Sequence, residues 1–184
     1  RRGGLDQALI EALARTITAF HQALEALPDA GGASAMRDVV SGNVEDLRRS
    51  VPGVFPADRV EALIAATDQS LKGAVDQLDA RRRAGFVRHC HGDLHLENIV
   101  LLDRGPVLFD CIEFNDAFAQ IDLLYDIAFL LMDLIDRGYS TQALAFLQAY
   151  NDRVEDDAGL ALLPLFLSVR AAVRAKVEAF AGER

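Results

Sequence analysis

The sequence lacks an apolar run long enough to cross a membrane. Its longest clean run, Ile127–Met132, is far shorter than the ~20 residues that a bilayer requires. We expect no signal peptide, because Arg1–Gly4 leads directly into an amphipathic pattern. Basic residues are outnumbered by acidic ones, and the formal net charge is −9. Nucleic acid, by contrast, requires a basic face on its protein partner. We therefore predict a cytoplasmic protein with no membrane and no nucleic-acid partner.

Cysteine is nearly absent as well. The two cysteines, Cys90 and Cys111, do not form the C-x-x-C pair of a metal site. Two thiols in a chain of 184 residues indicate a reducing compartment. We interpret both cysteines as small, buried, apolar residues.

Apolar residues at helical spacing dominate the rest of the chain. Pro28 and Gly31-Gly32 mark the end of the first helical pattern, and Arg81–Arg83 lies in a last helical turn, where cations favour the helix dipole. His21 lies in the first helix and has no catalytic role in this interpretation. We predict helices over residues 5–27, 57–84, 121–135, 141–150 and 160–180, a short helix within 34–49, and a loop over Ser50–Pro56.

The middle of the chain has a different composition and no helical periodicity. Phe86–Asn98 is polar, histidine-rich and irregular. Two short apolar runs, Ile99–Leu102 and Val107–Phe109, flank Asp103–Pro106 and predict a small β-hairpin. The fold class is therefore α+β and predominantly helical, with residues 1–184 forming one domain.

The segment His91–Asn98 and the later Asp110 carry the residue types that phosphoryl transfer needs. Such a reaction needs a carboxylate that orients the attacking hydroxyl and accepts its proton, and Asp93 can supply it. It also needs oxygen ligands for magnesium beside the nucleotide phosphates. Asn98 offers a neutral oxygen and Asp110 a charged one. The hairpin between them could return Asp110 towards the loop.

The pattern H-G-D-x-H-x-x-N, which runs from His91 to Asn98, resembles the catalytic loop of aminoglycoside phosphotransferases and choline kinases. That family shares the protein-kinase-like fold, and the chain resembles its larger, C-terminal lobe, with the hairpin beside the catalytic loop. Protein kinases usually carry a lysine where His95 stands here. The chain departs from the family at Leu96 and Glu97, where proline and glycine are frequent.

The resemblance implies a role for each site residue. Asp93 is the catalytic base, and Asn98 and Asp110 hold the Mg²⁺ that accompanies ATP. Asp126, in a D-x-x-x-D-x-A segment, is similar to the aspartate that braces the loop backbone. His91 supports the loop; His95 either contacts phosphate or holds the loop; and Glu113 either binds metal or substrate or is simply solvated. The predicted site therefore contains seven residues: Asp93, His91, His95, Asn98, Asp110, Asp126 and Glu113.

Parts of a complete kinase are absent from the sequence. It has no G-x-G-x-x-G and no G-x-x-x-x-G-K-[ST], and its only lysines, Lys72 and Lys176, lie in helical patterns. Because the sequence also begins at Arg1, we expect a piece of a longer protein. The resemblance implies an N-terminal nucleotide-clamping lobe upstream and a fused P-loop domain downstream. We expect the piece alone to be inactive.

Two other functions fit parts of the pattern. A kinase-like module that has lost catalysis and acts as a binding partner would explain the absent lobe, although Asp93, Asn98 and Asp110 are all present. A metal-dependent hydrolase would use the alternating His89, His91, Asp93 and His95. That alternative lacks a histidine after His95 to complete a zinc site. The acceptor itself, whether an aminoglycoside, a choline-like amine, a sugar or an amino sugar, cannot be chosen from the pattern.

Overall fold

The computed structural model describes residues 5–50 and 53–182. Residues 51 and 52 of the predicted loop lie outside the described residues. The α+β, mostly helical class is confirmed. The helices are α1 Gln7–Ala23, α2 Gly32–Arg49, α3 Ala57–Arg83, α4 Asp116–Ala119, α5 Leu123–Asp136, α6 Ser140–Val154 and α7 Leu163–Gly182; the strands are β1 Val87–His89, β2 Ile99–Leu102, β3 Gly105–Leu108 and β4 Gln120–Asp122; and 3-10 turns cover Leu96–Asn98 and Asp157–Leu162.

Helix α1 ends four residues earlier than the sequence pattern predicts. The chain turns extended at Leu24, and Ala26 forms a β-bridge with Arg88. The Arg88 guanidinium donates hydrogen bonds to the carbonyls of His21 and Leu24, at 2.8 and 2.9 Å. These bonds satisfy carbonyls that a helix end leaves unpaired, so a residue distant in sequence sets the end of α1.

Helix α2 is much longer than the short helix that the sequence suggests. It begins at Gly32, and the side chain of Asp79 on α3 accepts a hydrogen bond from the Ala33 N–H at 3.0 Å. Met36, Val40 and Leu47 form its buried face. This face packs on α3 and α7, which places α2 along one wall of the site described below.

Two antiparallel strand pairs flank the catalytic-loop segment. The hairpin of β2 and β3 forms as predicted, although β3 starts at Gly105, after a turn at Asp103-Arg104. The pair of β1 and β4 was not predicted, and its register joins Val87 to Asp122. The helix predicted from residue 121 therefore begins at Leu123, with the Asp122 side chain accepting a hydrogen bond from the Leu124 N–H at 2.9 Å.

Helix α5 is the centre of the core. It is buried along nearly its whole length and packs between α6 and α7, as its uniformly apolar sequence predicts. By length and composition alone, Asp157–Phe180 is the one segment of the described chain that could cross a membrane. Here it packs against α5 and α2, and its Arg170 is buried, which is typical of a core helix.

Candidate active site

The loop between β1 and β2 presents the Asp93 carboxylate. Its Oδ2 lies 3.0 Å from Asn98 Nδ2 and 3.4 Å from His95 Nε2. The Nδ1 atom of His95 accepts a hydrogen bond from the Glu97 N–H, so Nε2 carries the hydrogen that faces Asp93. The hydrogen bond from His95, outweighing partial burial, holds the pKa of Asp93 below its ordinary value. Asp93 is thus an ionised, half-exposed carboxylate at neutral pH, as a general base must be.

The side chain of Asn98 has a fixed orientation. It is buried, and its Nδ2 donates to the Asp93 carbonyl at 2.9 Å as well as to the Asp93 carboxylate. Both partners are acceptors, so the amino group of the amide must face Asp93 and the Oδ1 atom must face away from it. An amide oxygen held in this way suits a hard cation such as Mg²⁺.

Asp110 returns to the loop at the end of the hairpin. The Phe109 N–H donates to the Asn98 carbonyl at 3.1 Å, and the Ile112 N–H donates to the His91 carbonyl at 2.9 Å. Asp110 lies between these two attachments, is exposed, and has a φ of 61°. Positive φ is uncommon for residues other than glycine, and such strained residues cluster at functional sites. Asp110 and Asn98 supply a charged and a neutral side-chain oxygen, the donor types that Mg²⁺ takes.

Asp126 of α5 is fully buried beneath the loop. Its Oδ1 accepts a hydrogen bond from the Gly92 N–H at 2.9 Å, and its Oδ2 accepts one from the His91 N–H at 3.3 Å. Burial opposes ionisation, but a hydrogen bond from His21 and the positive charge of Arg170 hold the pKa of Asp126 below its ordinary value. The buried carboxylate therefore ties the start of the loop to the central helix.

A cavity of about 520 Å³ opens beside Asp93, within the usual size range for small-molecule sites. Helices α2, α5 and α7 form its walls, and the surface is mostly apolar. Asp46 in the wall is paired with Lys176 at 2.9 Å. The other residues that give the cavity its chemical character are Asp38, Asn43, Tyr125 and Phe129.

A sequence model described as "Phosphotransferase enzyme family" matches residues 4–163. The chain belongs to this family. It is also 30% identical over 175 residues to uncharacterized proteins of Mycobacterium bovis and of two Mycobacterium tuberculosis strains. The match covers 94% of the chain but 35% of each relative, so the chain spans about a third of the length of these curated proteins. No solved structure matches it.

Two residues beneath the loop of this phosphotransferase-family chain were not singled out from the sequence. His21, interpreted as non-catalytic, lies with Nε2 3.1 Å from Asp126 Oδ2 and Nδ1 2.8 Å from the Tyr150 hydroxyl. Arg170 donates to the carbonyls of Gly92 and Tyr125, both at 3.1 Å. Neither residue is near the loop in sequence, so no local pattern could have indicated these contacts.

The Gly92 peptide is consequently held on both sides, with Asp126 at its N–H and Arg170 at its carbonyl. Gly92 has a φ of 81°, and a Cβ at this position would lie 2.8 Å from the Phe118 carbonyl oxygen. Glycine is therefore required here both for its backbone conformation and for space. The backbone of the next residue, Asp93, is therefore also held in a fixed position.

His91 and Glu113 have different surroundings. His91 is fully buried, and its Nε2 donates to the Phe109 carbonyl at 2.9 Å, so its contact connects the loop to the end of the hairpin. Glu113 is exposed, three residues after Asp110. The geometry assigns His91 a supporting hydrogen bond and leaves Glu113 open to either metal or solvent.

The ligand set of the hydrolase alternative does not assemble. Within residues 5–50 and 53–182, the one group of three or more acidic, histidine or cysteine residues whose ligand atoms all lie within 4.8 Å of one another is His21, Cys90 and Asp126. Both ring nitrogens of His21 are already hydrogen-bonded, and the Cys90 thiol donates to the Ile121 carbonyl, so this group is a packed polar cluster. Cys90 is buried as predicted, whereas Cys111 is only partly buried.

Proposed function

We propose that the protein transfers the terminal phosphoryl group of ATP, with Mg²⁺, to a hydroxyl of a small polar molecule. The observation that carries this proposal is the Asp93 carboxylate, which is held ionised by His95 and Asn98 at the edge of a cavity of small-molecule size. Membership of the phosphotransferase enzyme family supports the reaction class.

In this proposal, Asp93 orients the acceptor hydroxyl and takes its proton as the hydroxyl oxygen attacks the terminal phosphorus of ATP. The bond from that phosphorus to the bridging oxygen breaks, and ADP leaves. Asn98 and Asp110 would hold Mg²⁺, which neutralises charge on the phosphates when it is bound. Asp126 and Arg170 keep the loop in position from below. Most of the catalytic effect then comes from positioning and from charge neutralisation, as in other phosphoryl transfers.

The acceptor occupies the cavity beside Asp93 in this proposal. Aromatic side chains from α5 provide apolar contact, and Asp38 of α2 adds an exposed carboxylate at the wall. Aminoglycosides, choline-like amines, sugars and amino sugars should all be screened. We further propose that turnover requires a nucleotide-clamping lobe from the rest of a longer protein, and that a P-loop domain is fused downstream.

Mg²⁺-dependent binding of ATP to the full-length protein tests the nucleotide site. We expect Asp110→Ala to weaken this binding at least about tenfold, because even the supporting partners of metal ligands are typically worth 10–100-fold in metal affinity. Calorimetric titration of ATP with and without Mg²⁺ gives the measurement. Asp103→Ala is the matched control, because Asp103 is an exposed aspartate in the turn of the same hairpin.

Failure of the unmodified full-length protein to bind ATP with Mg²⁺ would overturn the proposal. It would favour the catalytically silent kinase-like module, the alternative that fits the same fold. Equal binding by the Asp110→Ala variant and its control would instead remove Asp110 from the metal site.

The contact between His95 and Asp93 should affect how kcat/KM depends on pH. Because His95 holds the pKa of Asp93 below its ordinary value, Asp93 stays ionised to lower pH in the unmodified protein. His95→Ala removes this hydrogen bond, so the pKa of Asp93 rises and the acid limb of kcat/KM moves to higher pH. The measurement is the pH profile of the full-length enzyme, with the exposed His89→Ala as control. Superimposable acid limbs would show that His95 does not tune the base.

A further inference from the structure

The 3-10 turn Leu96–Asn98 is anchored to α5 by a backbone contact. The Leu96 N–H donates a hydrogen bond of 2.9 Å to Asp133 Oδ2. The Asp133 side chain is 3% exposed, so this bond lies in an environment where an unpaired donor or charge is costly. Asp133 is one of the buried charged residues of the chain, and the proposed reaction does not otherwise use it.

Arg137 closes a ring of contacts around the same turn. Its Nε donates to Asp133 Oδ1 at 2.9 Å, and its Nη2 donates to Glu97 Oε1 at 2.7 Å. The hydrogen bond from Arg137 lowers the pKa of Glu97, which keeps this pair charged. The ring therefore runs from the Leu96 backbone through Asp133 and Arg137 to the Glu97 side chain, one residue before Asn98.

Asn98 has little freedom once its two neighbours are fixed. The turn contains three residues, and the Asn98 N–H donates to the His95 carbonyl at 3.0 Å. The ring secures the first two residues from below, while the Asn98 side chain bonds to Asp93. The direction of Asn98 Oδ1 thus depends on contacts supplied by α5.

We propose that Asp133 and Arg137 are positioning residues for Asn98, so that they set the Mg²⁺ requirement of nucleotide binding without touching metal or nucleotide. This inference rests on the proposed function, because it gives Asn98 its role as a metal ligand. It deepens that function by adding a second attachment of the loop to α5, separate from the bonds of Asp126 to His91 and Gly92.

A double-variant comparison isolates the contact between Leu96 and Asp133. In the full-length protein, we expect Asp133→Ala to raise the Mg²⁺ concentration for half-maximal ATP binding about 10–100-fold. Leu96→Pro removes the N–H that donates to Asp133. Proline suits this position, because Leu96 is the first residue of the turn and the preceding residue, His95, has an extended backbone. This single variant should also raise the requirement, because it leaves the Asp133 carboxylate without its loop donor.

Combining the two changes should raise the Mg²⁺ requirement no further than the larger of the two single effects. Both changes remove the same hydrogen bond, so the second change has nothing left to remove and the two effects are coupled. A purely structural role of Asp133 in α5, independent of Leu96, predicts that the two effects add. Asp136→Ala, exposed on the same helix, is the matched control.

Hydrogen exchange at the Glu97 and Asn98 amides provides a readout that needs no turnover. We expect faster exchange in Asp133→Ala than in Asp136→Ala, and no further acceleration when Leu96→Pro is added to Asp133→Ala. Arg137→Met covers the case in which Asp133→Ala does not fold, because Arg137 is largely at the surface. It should raise the Mg²⁺ requirement of a protein that still unfolds cooperatively, with a lower melting temperature because the buried Asp133 loses its cation.

The outcomes separate the two proposals. If the unmodified protein binds Mg²⁺ and ATP and the Asp133→Ala and Arg137→Met variants bind them equally well, the positioning role is overturned and the proposed function stands. Additive effects of the two single changes in the double variant also overturn it. If the unmodified protein shows no Mg²⁺-dependent binding, the proposed function is overturned together with the metal-positioning role.

Discussion

Replacement of Asp93 by alanine should lower turnover by the full-length protein about 10²–10⁴-fold, the usual contribution of a positioned base. The carboxylate is the group on the loop that is both ionised and open to the cavity, because His91 is buried and His95 donates to Asp93. Asn98, the other hydrogen-bond partner of the carboxylate, has no basic atom that could replace it as a proton acceptor. The measurement is kcat with the best acceptor found in the screen.

Two further variants separate chemistry from binding. Asp93→Asn keeps an oxygen that can accept the hydrogen bond from Asn98 Nδ2 and removes the base, so it should lose turnover but retain ATP binding. Asp103→Ala, which removes an exposed carboxylate from the hairpin turn, should leave both unchanged. Near-normal turnover by Asp93→Ala would show that another group is the base. Equal loss of turnover and binding in Asp93→Asn would assign Asp93 to the binding of nucleotide or metal.

Local sequence patterns were sufficient to predict most of the long elements of the fold, although not the full length of α2. Helix α5 has an apolar residue at nearly every position, and the hairpin of β2 and β3 has two apolar runs around a turn. The pair of β1 and β4 could not be predicted in this way. Each strand has three residues, and paired residues lie 31 to 35 positions apart in the sequence. The pairing energy therefore comes from contacts that no short window contains.

The residues of the site can be divided in the same way. Those proposed to act as the base or to hold Mg²⁺, Asp93, Asn98 and Asp110, lie within one stretch of sequence and occur in a recognisable order. Those that hold the stretch in place come from α1, α5 and α7: His21 bonds to Asp126, and Arg170 bonds to the Gly92 carbonyl. A histidine or arginine within an amphipathic helix gives no sign of its partner, because spacing records the face of the helix and not what covers that face.

Arg81 is the clearest correction to the sequence interpretation. Its place in the last turn of α3 suggested a favourable interaction with the helix dipole, an effect worth about 0.3–1 kcal/mol at a surface. In the structure, the Arg81 side chain is only 5% exposed, and its guanidinium makes several contacts. It donates to both carboxylate oxygens of Asp122, at 2.7 and 2.9 Å, and to Asp156 at 2.7 Å. It also lies over the ring of Phe86, 4.2 Å from the ring centroid.

Substitution of Arg81 should therefore have one of the largest effects on stability in the chain. Burial disfavours the charge, but the two aspartates raise the pKa of Arg81, so the cation persists throughout the pH range of folding. Arg81→Ala leaves two buried carboxylates without their cation, a loss that typically costs about 3–5 kcal/mol. This is a large share of the ~5–15 kcal/mol that stabilises a typical domain. Chemical denaturation of the chain measures the free energy of unfolding.

Neighbouring arginines and the two carboxylates supply the controls for Arg81. Arg83→Ala, at an exposed position of the same turn, should change the free energy of unfolding by no more than about 0.5 kcal/mol. The triple variant Arg81→Met, Asp122→Asn and Asp156→Asn keeps side-chain oxygens for the Leu124 and Gly159 N–H groups. It removes the three buried charges of this cluster. If unpaired carboxylates cause the instability of Arg81→Ala, this variant should recover most of the loss, because a buried ion pair can often be replaced at little cost. Equal instability of the triple variant would instead attribute the effect to the lost packing over Phe86.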